Sequence, residues 1–74
     1  MDYRHRGKMD ATTEQRYIMI LQKKCEGLAE KQITQQYGIS GATQKLATSR
    51  LRKRYAAYST IQLVGILFRK GLLK

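Results

Sequence analysis

Apolar residues recur along the chain at helical spacing, in four short stretches joined by short turns. Ile18, Leu21 and Cys25 share one face of a first helix, with Leu28 packing just beyond its end. Met19 and Ile20 fall off that stripe, so the pattern leaves the orientation of this helix open. Thr12 followed three residues later by Gln15 has the form of a capping box, in which each side chain satisfies a free backbone donor. Gly27 suits the residue that closes a helix, which predicts a first helix from about Thr13 to Glu26. A second helix fits Glu30 to Tyr37, with Ile33 and Tyr37 at i, i+4 as its buried side. Gly38 then permits a left-handed turn, Ile39 plugs the corner, and Ser40 is a natural N-cap for a third helix from about Gly41 to Ala56. Ser59 with Gln62 repeats the capping-box signature and starts a fourth helix, which Gly71 ends before an "LLK" tail. No stretch reads as a strand and no repeat is visible. Residues 1–11 show no period and read as a flexible basic arm, with a single all-α domain over residues 12–74.

The third helix, inside "YGISGATQKLATSRLRKRY", has two unlike sides. At about 100° per residue, Gln44, Ala47, Leu51 and Tyr55 share the side fit for a core. Lys45, Ser49, Arg52 and Lys53 lie on the other, with Leu46 among them and small residues near its beginning. An eight-residue helix, a glycine turn and then this helix make the helix-turn-helix order, whose second helix enters the major groove of DNA. Cations on such a helix neutralise phosphates, and side chains of its N-terminal half reach base edges.

The charge agrees. The net is +10 over 74 residues, and all five acidic residues lie within the first 30. From Lys31 to Lys74 there are nine Lys or Arg and no acid, a field of one sign that calls for a polyanionic partner.

At this point the sequence resembles a family, the LuxR-type (GerE-like) helix-turn-helix of bacterial transcription regulators. The likeness runs ungapped over residues 27–73, from "GLAEKQITQQYGIS" through "GATQKLATSRLRKRY" to "STIQLVGILFRKGLL". Gly27, Leu28, Lys31, Ile33, Gly38, Ile39, Ser40, Thr43, Lys45, Val64, Gly71 and Leu72 fall on the family's recurring positions. The chain departs from the pattern at Gln44, where Val is usual, at Ala47, where His is common, and at Tyr55-Ala56, in place of Leu-Gly. The family's Leu-Thr-x-x-Glu opening is scarcely visible in "TTEQRYIMIL". The resemblance implies a four-helix domain in which Lys45, Leu46 and Ser49 face bases and the last helix dimerises. The candidate DNA-contacting set is Ser40, Thr43, Lys45, Leu46, Ser49, Arg50, Arg52 and Lys53, with Arg50 and Arg54 reaching neighbouring phosphates. Family members usually carry a sensory or receiver domain ahead of this module; here only the arm precedes it, which implies a stand-alone regulator.

Other chemistry is thinly supported. Nothing pairs a nucleophile with a base, no carboxylate pair or phosphate loop is present, and no enzyme, cofactor or metal is expected. His5 has no ligand partners, and Cys25 reads as a small core residue. Arg4, Arg6 and Lys8 read as a solubilising tail before a minor-groove arm. The longest apolar stretches, Tyr17–Leu21 and Leu63–Phe68, are far too short to span a bilayer. With no apolar signal core and no second cysteine, the expectation is a cytoplasmic, nucleoid-associated protein with no membrane partner.

The fourth helix is apolar on more than one side, through Ile61, Leu63, Val64, Ile66, Leu67 and Phe68. The surplus points to an interface with Leu63, Gly65 and Ile66 at the contact, unless "LLK" folds back to cover it. Two functions follow: a homodimeric DNA-binding regulator, or a small interaction protein that modulates a larger related regulator by heterodimerisation.

Overall fold

The computed structural model describes residues 9–74, and the arm residues Arg4, His5, Arg6 and Lys8 lie outside them. The described residues form an all-α domain of four helices with no strand: α1 (Ala11–Cys25), α2 (Glu30–Tyr37), α3 (Gly41–Arg54) and α4 (Thr60–Arg69). α1 begins earlier than the Thr12–Gln15 pattern suggests. The Asp10 carboxylate accepts the Thr13 N–H at 2.8 Å and takes the cap itself. That bond holds the Asp10 carboxyl below its ordinary range. Asp and Thr both cap well, but an ionised acceptor also favours the positive end of the helix. α1 closes at Gly27 (φ 100°), where the Leu28 N–H returns to the Lys23 carbonyl at 3.1 Å.

α3 runs between two apolar clusters. Leu21, Leu51, Ala57, Leu63, Leu67 and Leu73 form one, and Ile20, Ile33, Ile39 and Ala47 form the other. α1 feeds both, through the adjacent pair Ile20 and Leu21, which explains why no single stripe along it was decisive. Two expected core positions lie outside. Cys25 is exposed, at the edge of a cavity that α3 also lines. Burial of its sulfur and the nearby Glu26 carboxylate push the thiol up, so it stays protonated at neutral pH. Tyr37 is also exposed, with the Lys23 ammonium 5.9 Å from its ring, which leaves Ile33 as the one buried side chain of α2.

α3 stops at Arg54, two residues before the expected Ala56. Ala56 takes a left-handed conformation (φ 53°), and the Ala57 N–H bonds the Arg52 carbonyl at 2.9 Å. This is the geometry that glycine usually supplies at a helix end. Burial of Ala57 holds the turn. The Ser59 hydroxyl caps α4 by accepting the Gln62 N–H at 3.0 Å, while the Gln62 side chain reaches back to the Tyr58 N–H, one residue beyond the box partner. After Gly71 (φ 76°) the tail does fold back. Leu73 enters the core, and the Lys74 backbone exchanges two hydrogen bonds with the Gln22 side chain at 2.9 and 3.1 Å. Burying one leucine contributes roughly 2 kcal/mol.

Candidate nucleic-acid interface

The connection between α2 and α3 is fixed by three residues. Gly38 turns left-handed (φ 68°), Ile39 is buried beneath the turn, and the Ser40 hydroxyl accepts the Thr43 N–H at 3.1 Å. Glu30 places its carboxylate against Gly41, at the positive end of α3. Gln44 completes the joint. Its side chain is 0% exposed, and its Nε2 lies 3.1 Å from the Glu30 carbonyl, 3.2 Å from the Thr34 hydroxyl and 3.2 Å from the Ile39 carbonyl. Two N–H bonds are thus shared among three acceptors, one in α2's first turn, one further along α2 and one in the connection. Gln44 Oε1 has no partner among the described residues. The inner side of α3 is as expected: Gln44, Ala47 and Leu51 are buried and Tyr55 half-buried.

The opposite side of α3 presents Lys45, Leu46, Ser49, Arg50 and Lys53 to solvent. α3 itself carries no carboxylate, and that of Glu30 lies against Gly41, one turn before Lys45. Leu46 keeps 42% of its surface exposed, so no other part of the described domain covers it. Ser40 and Thr43 sit at the helix start with their hydroxyls engaged, Ser40 donating to Thr43 at 3.1 Å. Arg52 is drawn inward: its Nη2 donates to the Tyr58 carbonyl at 2.7 Å, and its Nε is closed off from solvent with no acceptor among the described residues. Arg54 is drawn toward α1, with 44% of its side chain still exposed. Its Nε pairs with Glu14 at 2.8 Å, while the Tyr55 hydroxyl donates to the other oxygen of the same carboxylate. Burial, then that carboxylate, pushes the Tyr55 phenol up, which keeps it a proton donor.

The proposed contact on α4 needs revision. Leu63 is 0% exposed and belongs to the core cluster, so it cannot meet a partner without unfolding its own domain. Ile66 is half-buried against the same cluster, whereas Gly65 opens to empty space. The outward stripe is Ile61, 85% exposed, then Gly65, then Phe68, at i, i+4 and i+7. Ile61 and Phe68 stood in the apolar surplus read from the sequence but were not placed at the contact. The signal was available: Leu63 and Leu67 form the i, i+4 pair on the far side of the wheel, and two faces of one helix cannot both meet the core.

No family model, curated protein or solved structure matches the chain. Among the described residues, no cluster of His, Cys, Asp and Glu could hold a metal, and no helix is long and apolar enough to cross a membrane.

Proposed function

We propose that the chain is a sequence-specific DNA-binding module of the LuxR-type helix-turn-helix class, with α2, the Gly38–Ser40 turn and α3 as the binding unit. The observation that carries the reading is the outer face of α3: exposed Lys45, Arg50 and Lys53, small Ser49 and no carboxylate, on a helix whose start is locked to α2 by Gln44. Lysine and arginine there neutralise phosphates, and Lys45, Leu46 and Ser49 enter the major groove to meet base edges and methyl groups. The Ile61–Gly65–Phe68 stripe pairs two copies, presenting two recognition helices about one DNA turn (~34 Å) apart on a two-part site. The same stripe would equally seat the last helix of a larger related regulator, and heterodimerisation is the second reading it favours.

Selection from a random duplex pool tests the proposal. A two-part element should be enriched. Lys45→Ala should relax its base preference at a cost of roughly 1–3 kcal/mol, and Lys53→Ala should weaken all sequences about equally. Enrichment of no element, or equal losses on selected and random DNA for both variants, would refute the assignment.

A further inference from the structure

Between the end of α1, one flank of α3 and the first turn of α4 lies an open cavity of about 410 Å³. Its lining brings together three cations, Lys24, Lys45 and Arg52, with the hydroxyls of Ser49 and Thr60, and contains no carboxylate. Three like charges around one concavity repel one another, and an anion placed among them relieves that repulsion. Arg52 is already anchored there by its bond to the Tyr58 carbonyl, so little side-chain freedom is lost on binding. Thr60 opens α4; the Ser59 cap takes only the Gln62 N–H, which leaves the first amides of a ten-residue helix without intrahelical acceptors at its positive end. The Thr48 hydroxyl, also in the lining, is spent on the Gln44 carbonyl at 3.3 Å and holds the floor without contributing a donor.

We propose that this cavity seats a phosphate group, with Lys24 and Arg52 as its cationic partners and Thr60 as a hydrogen-bond donor, beside the rim that Lys45 and Ser49 share with the groove-facing side of α3. Lys24 is the residue this adds, because nothing on α1 otherwise faces nucleic acid. Lys45 and Ser49 line the cavity and also stand on the outward face of α3. That continuity makes a backbone phosphate flanking the occupied groove the natural source, an assignment that rests on the DNA-binding reading. A small free polyphosphate offers the same chemistry and would compete for the same wall.

The test uses the full chain, with Lys24→Gln as the probe and Lys70→Gln as a control. The control removes the same charge at the opposite end of α4. In a salt titration of duplex binding, Lys24→Gln should reduce the steepness of the log–log slope by about 1. That corresponds to affinity about 8-fold lower near 0.1 M salt for every sequence, with base preference unchanged. Lys70→Gln should leave the slope as in the wild type. In parallel, inorganic pyrophosphate is titrated against the labelled protein. The amides of Thr48, Arg52 and Thr60 should shift in the wild type and the control but not in Lys24→Gln. A slope change together with competition by pyrophosphate assigns the site to the DNA backbone. Amide shifts with an unaltered slope assign it to a free polyphosphate. Strong duplex binding with neither signal overturns the cavity site and leaves the DNA-binding reading standing. If the wild type binds no duplex, the pyrophosphate shifts alone decide the site.

Discussion

The Nε2 of Gln44 lies 3.1 Å from the backbone carbonyl of Glu30, so the first turn of α3 is tied directly to the first turn of α2. The tie is polar, with the Gln44 side chain fully buried at one end of it, and its worth depends on that side chain being a donor. Gln44→Glu keeps the shape but turns an amide that faces three oxygens into a carboxylate. The substitution should cost about 3 kcal/mol at neutral pH, because a buried charge would face two carbonyl oxygens with only the Thr34 hydroxyl able to turn and donate to it. Burial raises the folded-state pKa of the introduced acid above its unfolded value. Relative to the wild type, the deficit should therefore be full above the folded pKa and shrink as the pH falls toward the unfolded one. Urea unfolding of both proteins from pH 7 to pH 4 measures this; a pH-independent difference would mean that the site is wet.

Glu14 receives both the Arg54 guanidinium and the Tyr55 hydroxyl while only 16% of its side chain is exposed. Glu14→Gln and Tyr55→Phe should each destabilise the domain by about 1–2 kcal/mol. Because they share one bond, the double variant should lose less than the sum by at least ~0.5 kcal/mol. Strict additivity in the unfolding free energies would place the two residues out of contact in solution.

Ala56 holds a left-handed conformation that disfavours any side chain. Ala56→Gly removes the clash of its Cβ with the backbone, which costs roughly 1–2 kcal/mol, against the extra chain entropy that glycine brings to the unfolded state. A net gain of about 0.5–1 kcal/mol should appear as a melting temperature several degrees higher. A lower melting temperature would contradict the turn.

Leu63 and Ile61 lie on opposite sides of α4 and should respond in opposite ways. Leu63→Ala leaves a cavity in the core and should cost about 2–5 kcal/mol. Ile61→Lys should leave unfolding unchanged within ~0.5 kcal/mol, yet shift the sedimenting species to monomer and weaken binding to a two-part site. A wild type that stays monomeric at high concentration would remove the α4 pairing, and selective pairing with a larger related regulator would favour the heterodimer.

These contrasts mark what the sequence could carry. α2 and the turn after it were legible to the residue, because Gly38, Ile39 and Ser40 each have a local reason for their place. The inner face of α3 was legible through its period. The cap at Asp10 was not read, although its signal is local: Asp10 and Thr12 both qualify, and the ionised acceptor suits the positive end of α1 better. α4 is apolar nearly all round, so its period gives no direction; the returning Leu73 and the α1–α3 layer decide that Leu63 and Leu67 face inward. Arg54 and Arg52 looked equivalent to the other cations because their partners, Glu14 and the Tyr58 carbonyl, are chosen by the fold and not by helical spacing. Gln44 read as an inward position and a departure from a pattern, and its place as the joint between two helices depends on acceptors that only the fold brings near.

The central claim is that the acid-free outer face of α3 binds the phosphate backbone of DNA, and one titration tests it most directly. The affinity for a duplex is measured from about 50 to 200 mM salt, a range over which counterion release dominates the change. Neutralising ~5 phosphates should give a log–log slope of about −4 to −5. A slope near zero, or no measurable duplex affinity at the low-salt end, would contradict the account.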